Sequence, residues 1–144
     1  DLAEKLSHQL EKSLQQGAKI VVGGEREDCN FQPTLIDFVD ADNIAFQEET
    51  FGPLATIVRA KDENDAIAIA NNHRYGLASA IWTEDREKAY KLARKIEAGN
   101  VFVNSLVRSD SRIPFGGVKK SGYGRELGAI GIKEFMNMKS LIIE

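Results

Sequence analysis

Leu2, Leu6, Leu10 and Leu14 recur at every fourth position at the start of the chain. That spacing lines one face of an amphipathic helix, and Gly17, just beyond the last leucine, suits its C-terminal cap. Lys19-Ile20-Val21-Val22 reads as a short strand stopped by Gly23-Gly24. Residues 25–30 are polar and read as an exposed turn. Residues 31–39 carry strand formers interrupted by Pro33, which predicts a sheet edge or a bulge. Residues 54–58, Leu-Ala-Thr-Ile-Val, predict a buried strand. Asp62, Glu63 and Asp65 supply the negative charge a helix N-terminus favours, and Ala66, Ile67 and Ala70 would form that helix's apolar face. Gly76 breaks the pattern and residues 78–82 read as a second strand. Thr83 is the predicted N-cap of a further helix, with Ala89, Leu92, Ala93 and Ile96 on its inner face. Gly99 closes it, and Val101-Phe102-Val103 is a third strand. Strand, helix, strand, helix, strand at this spacing predicts an α/β fold: a parallel sheet with right-handed crossovers and flanking helices.

The chain has 144 residues, 28% charged and 42% hydrophobic. That is globular composition and excludes a disordered chain. No apolar run is long enough to span a bilayer, and the first residues do not read as a signal peptide. The formal net charge is −3, so the chain has no overall pull on polyanions and nucleic acid is not an expected partner. The single cysteine cannot form an internal disulfide, which fits a reducing compartment such as the cytoplasm. With two histidines it is also a poor supply of metal ligands, and no metal is expected. The chain opens Asp1-Leu2-Ala3-Glu4 and enters a helix at once, which leads us to expect a piece of something longer.

From Pro114 to Gly128 there are five glycines in fifteen residues. Such density demands special backbone angles or a close approach of the main chain to something. Neither the Walker spacing nor the dinucleotide fingerprint is present, so an irregular loop leading into a helix over 126–135 is the favoured reading over a phosphate loop.

Several segments in order carry a resemblance. They are Glu48-Glu49-Thr50-Phe51-Gly52-Pro53, Asn71-Asn72 with Tyr75-Gly76-Leu77, Gly99-Asn100-Val101-Phe102-Val103-Asn104, and Pro114-Phe115-Gly116-Gly117-Val118-Lys119 followed by Ser121-Gly122 and Gly124-Arg125-Glu126. Together they resemble the C-terminal part of an NAD(P)-dependent aldehyde dehydrogenase, over essentially the whole chain. Residues 104–112 resemble the bacterial succinate-semialdehyde dehydrogenases in particular. The resemblance implies that residues 1–137 are the C-terminal part of the catalytic domain. It also implies that residues 138–144 form a C-terminal oligomerisation strand in a homodimer or homotetramer.

The chemistry the resemblance implies is oxidation of a small-molecule aldehyde to the acid, with NAD or NADP as cofactor. A cysteine thiolate forms a thiohemiacetal, hydride passes to the nicotinamide, and water activated by a glutamate hydrolyses the thioester. In the family the nucleophile, the general base and the cofactor domain lie upstream of the matched region. No catalytic residue is therefore expected among these residues, and the chain alone should not turn over. Glu49 matches the glutamate that accepts hydrogen bonds from the nicotinamide-ribose hydroxyls, and Phe51 the aromatic beside that ribose. The alternative is a solvated acidic pair before a turn. Ser109 matches a substrate-pocket position where a hydroxyl suits a carboxylate tail. Arg108 and Arg112 would add charge-assisted bonds to that tail, or simply face solvent. Phe115 matches an aromatic flanking substrate entry, or anchors its loop as a core residue. Cys29 sits in a polar turn with no flanking cation to activate it, and reads as incidental. His8 and His73 read as surface or capping residues. Two other functions remain open on the sequence: a CoA-acylating semialdehyde dehydrogenase, and a non-catalytic binding or assembly module.

Overall fold

The Asp1 carboxylate accepts hydrogen bonds from the backbone N–H groups of Ala3 (2.9 Å) and Glu4 (3.1 Å) and so starts helix α1 (Leu2–Gln15). Gly17, at φ +101°, takes the left-handed turn that ends it. In the computed structural model, which describes residues 1–144, this helix belongs to the first of two compact units, residues 1–73, the second being 74–144. Leu6 and Leu10 are buried as the leucine spacing predicts, whereas Leu2 is exposed. Between and beyond them the same face buries two polar residues, Gln9 and Ser13.

After α1 the first unit runs through β1 (Lys19–Val22), β2 (Arg26–Glu27), β3 (Asn30–Phe31), β4 (Thr34–Asp37), α2 (Ile44–Gln47), β5 (Leu54–Thr56) and α3 (Glu63–Asn71). β4 is the middle strand of a three-stranded sheet, antiparallel to β1 and parallel to β5. Of the two places expected from Pro33, the edge is not observed, while the β1–β4 register does shift, between Ile20 and Val22 on β1. Pro33 stands one residue ahead of the strand, where its missing N–H removes no ladder bond, and the Thr34 N–H donates to the Pro53 carbonyl at 2.7 Å. Ile36 on β4 is fully buried and joins Leu6, Leu10, Ala18, Val39, Ala45 and Leu54 in the core of this unit. β2 and β3 form a small separate hairpin whose turn carries the exposed Cys29. Asp62 caps α3 through the N–H groups of Asn64 and Asp65, as its acidic start predicts. The expected apolar face of α3 is not buried, however: Ala66 and Ala70 are exposed and only Ile67 is partly covered.

The second unit contains β6 (Tyr75–Gly76), β7 (Ala78–Ile81), α4 (Arg86–Ala93), β8 (Asn100–Val103), β9 (Val118–Lys119) and α5 (Gly128–Lys133). β7 and β8 pair in parallel across α4, with Ala78 opposite Asn100 and Ile81 opposite Val103. This is one of the crossovers the sequence predicts. The strand over 54–56 does not join it; its parallel partner is β4, in the other unit. The fold is α/β with parallel pairings, distributed over small sheets rather than one. The cap of α4 is Asp85, whose carboxylate accepts from the Lys88 N–H, while Thr83 accepts from Asp85 itself. β6 and β9 form a short antiparallel pair, and α5 is shorter than the 126–135 expected. Residues 138–144 carry no helix or strand in this single chain. No helix of the chain is long and apolar enough to cross a membrane.

Candidate functional site

Residues 48–53 connect α2 to β5 and carry Glu49 and Phe51. The segment is fixed from both sides. The buried Gln9 carboxamide on α1 donates to the Glu49 carbonyl oxygen and to Glu48 Oε2, both at 3.3 Å. On the other side the Thr34 N–H holds the Pro53 carbonyl, and the Thr50 hydroxyl donates to the Leu54 carbonyl at 3.2 Å. Gly52 lies against Leu6: a Cβ there would come within 2.5 Å of Leu6 Cδ2. Phe51 has φ +33°, in the left-handed region rarely used by non-glycine residues, and is 62% exposed. A large apolar side chain held in an unfavourable backbone conformation and left in water is what a contact surface looks like, rather than a packing solution. The Glu49 carboxylate is exposed and makes no hydrogen bond or ion pair within the chain. An ionised carboxylate is an acceptor-only group, so its free oxygens fit a pair of hydroxyl donors such as a ribose diol.

The other candidates all lie in the second unit. Asn104 ends β8 at φ +51°, and its side chain pairs with both backbone groups of Thr83, at 2.8 and 2.7 Å. From that anchor the chain runs out through Arg108, Ser109 and Arg112, all exposed. The Arg112 guanidinium is already engaged. Its Nε and one terminal nitrogen donate to the two oxygens of Asp110, at 2.9 and 2.6 Å, and its backbone N–H donates to the same carboxylate. These bonds hold the Asp110 carboxyl well below the usual carboxylate range and raise Arg112 further. Arg112 thus has its fork occupied. Arg108 makes no hydrogen bond, although its charge also helps lower the Asp110 carboxyl, and the Ser109 hydroxyl makes no hydrogen bond in the chain.

Phe115 is half-buried. Its backbone pairs with Glu126, N to O at 2.8 Å in both directions. Asn100 brackets it, donating to the Pro114 carbonyl (3.0 Å) and accepting from the Gly116 N–H (3.1 Å). Phe115 lines a pocket of about 500 Å³ together with Leu77, Tyr123, Arg125 and Phe135. The glycines around it serve main-chain packing. A Cβ on Gly99 would lie 1.7 Å from the Gly116 carbonyl oxygen, and one on Gly117 would lie 2.4 Å from Ser121 Cβ. The glycine-rich stretch is a loop folded tightly on itself, in line with the favoured reading of its sequence. His73 stacks edge-on against Phe46, with ring centroids 5.8 Å apart.

These segments, and the chain that holds them, match known proteins along almost their whole length. The model of the aldehyde dehydrogenase family covers residues 1–141. The chain belongs to that family. It is 44% identical to the NAD(P)+ succinate semialdehyde dehydrogenase Sad of Escherichia coli (strain K12), over 98% of this chain and 31% of that one. It is 45% identical to the lactaldehyde dehydrogenase of Methanocaldococcus jannaschii, over 98% of this chain and 30% of that one. Among solved structures, a succinic semialdehyde dehydrogenase from Streptococcus pyogenes in complex with NADP+ superposes with a TM-score of 0.94. It is 38% identical over 99% of this chain and 32% of that chain. The chain therefore spans about a third of the length of the aldehyde dehydrogenases it matches.

Proposed function

We propose that residues 1–137 act as the C-terminal part of the catalytic domain of an NAD(P)-dependent aldehyde dehydrogenase whose substrate is succinate semialdehyde. Residues 138–144 add the strand that assembles it into a homodimer or homotetramer in the cytoplasm. The observation that carries this reading is the segment 48–53: an unpaired, exposed Glu49 carboxylate beside an exposed, left-handed Phe51, both on a backbone secured at either end. NAD or NADP, when bound, supplies the hydride acceptor. Glu49 accepts hydrogen bonds from its nicotinamide-ribose hydroxyls, and Phe51 packs beside the same ribose and narrows its range of positions.

In the second unit, Ser109 and Arg108 offer a hydroxyl and a guanidinium to the distal carboxylate of the substrate. Arg112, held by Asp110, stiffens that loop rather than binding substrate with its fork. Phe115 walls the approach. Succinate semialdehyde is favoured over an uncharged aldehyde because these free donors suit an anionic tail, and because the relatives include succinate semialdehyde dehydrogenases.

Glu49→Gln in the full-length enzyme tests the cofactor role. The substitution keeps the shape but removes the negative charge that strengthens both ribose bonds. Hydride transfer in a single turnover should slow by about tenfold or more, since loss of a hydrogen bond to a charged group costs about 1.5–3 kcal/mol. An unchanged rate would remove Glu49 from the cofactor site.

A further inference from the structure

We propose that Gln9 is a positioning residue for Glu49: from helix α1 it fixes the backbone beneath that carboxylate and withdraws the neighbouring Glu48 from competition with it. The proposal rests on the reading of residues 48–53 as the cofactor-contacting segment and deepens it.

The starting observation is a polar side chain where the pattern calls for an apolar one. Gln9 lies between Leu6 and Leu10 on the buried face of α1 and is 2% exposed. A leucine there would complete the apolar stripe at no polar cost. A buried carboxamide must instead have its groups satisfied. Its amide nitrogen is satisfied by two atoms of the segment in question, the Glu49 carbonyl and Glu48 Oε2.

The helix that carries Gln9 is itself held in register by buried polar bonds. Ser13, fully buried, donates from its hydroxyl to the Gln9 carbonyl at 2.7 Å. The Ser13 carbonyl accepts from the Asn43 side chain at 3.1 Å, and Asn43 caps α2 through the Ala45 N–H at 3.0 Å. A line of hydrogen bonds, buried from the start of α2 to Gln9 and partly buried beyond it, therefore runs through α1 and back to residues 48–49. Leu6, less than one turn before Gln9, packs on Gly52. The segment is thus backed by α1 at two points, with the two glutamates between α2 and that packing contact.

Two consequences follow for adjacent carboxylates of identical chemistry. Holding the Glu49 carbonyl fixes the Cα from which its side chain leaves, so the carboxylate is presented outward in one direction. Drawing Glu48 Oε2 to Gln9 leaves Glu48 half-buried and occupied, while Glu49 stays exposed and unpaired. Only one of the two is free to receive hydroxyl donors.

The test uses the full-length enzyme. Gln9→Met keeps the length and bulk of the side chain and removes the donor; Gln9→Glu keeps the shape and places a second acceptor against two acceptors. Leu10→Val, on the same helix, thins the core without touching the polar line and controls for lost stability. The readouts are single-turnover hydride transfer, the dissociation constant of the cofactor, and the KM for the aldehyde.

For whichever Gln9 variant is soluble, hydride transfer should slow by about tenfold and cofactor binding weaken, with the aldehyde KM unchanged. Leu10→Val should melt earlier but transfer hydride at the normal rate. The proposal is overturned if hydride transfer is normal in the soluble Gln9 variants, if Leu10→Val slows it equally, or if neither Gln9 variant folds while Leu10→Val does, since Gln9 would then be a folding residue. Glu49→Gln, run in parallel, separates the two levels. If it transfers hydride normally, the segment itself has been misread; if it is slow while Gln9→Met is normal, only the positioning role fails.

Discussion

Ser109 presents a hydroxyl with no partner inside the chain, on a segment that also carries Arg108 and Arg112. The three look equivalent in the sequence, as polar residues in one loop, and geometry separates them. Arg112 is closed by the two oxygens of Asp110, a neighbour two positions away whose significance the pattern alone does not reveal. Ser109 and the hydrogen-bonding groups of Arg108 stay open, although the Arg108 charge also acts on Asp110. Ser109→Ala in the full-length enzyme should therefore raise the KM for succinate semialdehyde while leaving that for an uncharged aldehyde of similar length nearly unchanged. A hydrogen bond to a charged group is worth about 1.5–3 kcal/mol, so the selectivity should change by about tenfold or more. Equal effects on both aldehydes would remove the carboxylate from that pocket. The run Phe51-Gly52-Pro53 is what singles out Glu49 as a candidate in the sequence. Nothing comparable singles out Gln9, because the atoms that satisfy it lie some forty positions away.

At the level of elements, the glycine-rich stretch divides into positions where the main chain needs room and positions where it does not. Gly99 stands before β8 with its α-carbon against the Gly116 carbonyl, so any side chain there must push two backbone segments apart. A Cβ added at Gly124 would meet nothing within 4 Å, and the backbone there keeps an ordinary φ. Gly99→Ala should lower the thermal midpoint clearly, in keeping with the loss of about 1–3 kcal/mol of stability typical of overpacking, whereas the stability of Gly124→Ala should stay within about 0.5 kcal/mol of the parent. Comparable losses at both sites would mean that the stretch is not held by close main-chain contact. The starts of α1, α3 and α4 were legible to within a few residues, although Asp85 rather than Thr83 caps α4 and the short α2 left no signal in the pattern. The central place of β4 was not legible either, because a proline one residue before a strand and a proline inside it look alike in a pattern, and only the pairing with β5 distinguishes them.

For the whole molecule, the sequence conveyed an α/β chain but not its division into two units, since the strands over 54–56 and 78–81 have the spacing of neighbours and yet pair elsewhere. Pairing partners are long-range information, and hydrophobic period carries none of it. The last residues of the chain raise the same question in their exposure. Leu141, Ile142 and Ile143 are 78%, 86% and 84% exposed in this single chain, three consecutive aliphatic side chains left in water. If the segment is an assembly strand, deleting residues 139–144 from the full-length enzyme should give smaller species by gel filtration, or insoluble protein. A truncated enzyme that stays soluble at its original mass would show that assembly does not need it.

An aliphatic segment left in water is also what chaperones and proteases read as unfinished, and chains so displayed are triaged continuously. If a second subunit covers residues 141–143, a subunit still without its partner would be short-lived. Its abundance in the cell would then follow the square of its synthesis rate at low expression, when pairs are scarce, and become proportional only once assembly outruns clearance.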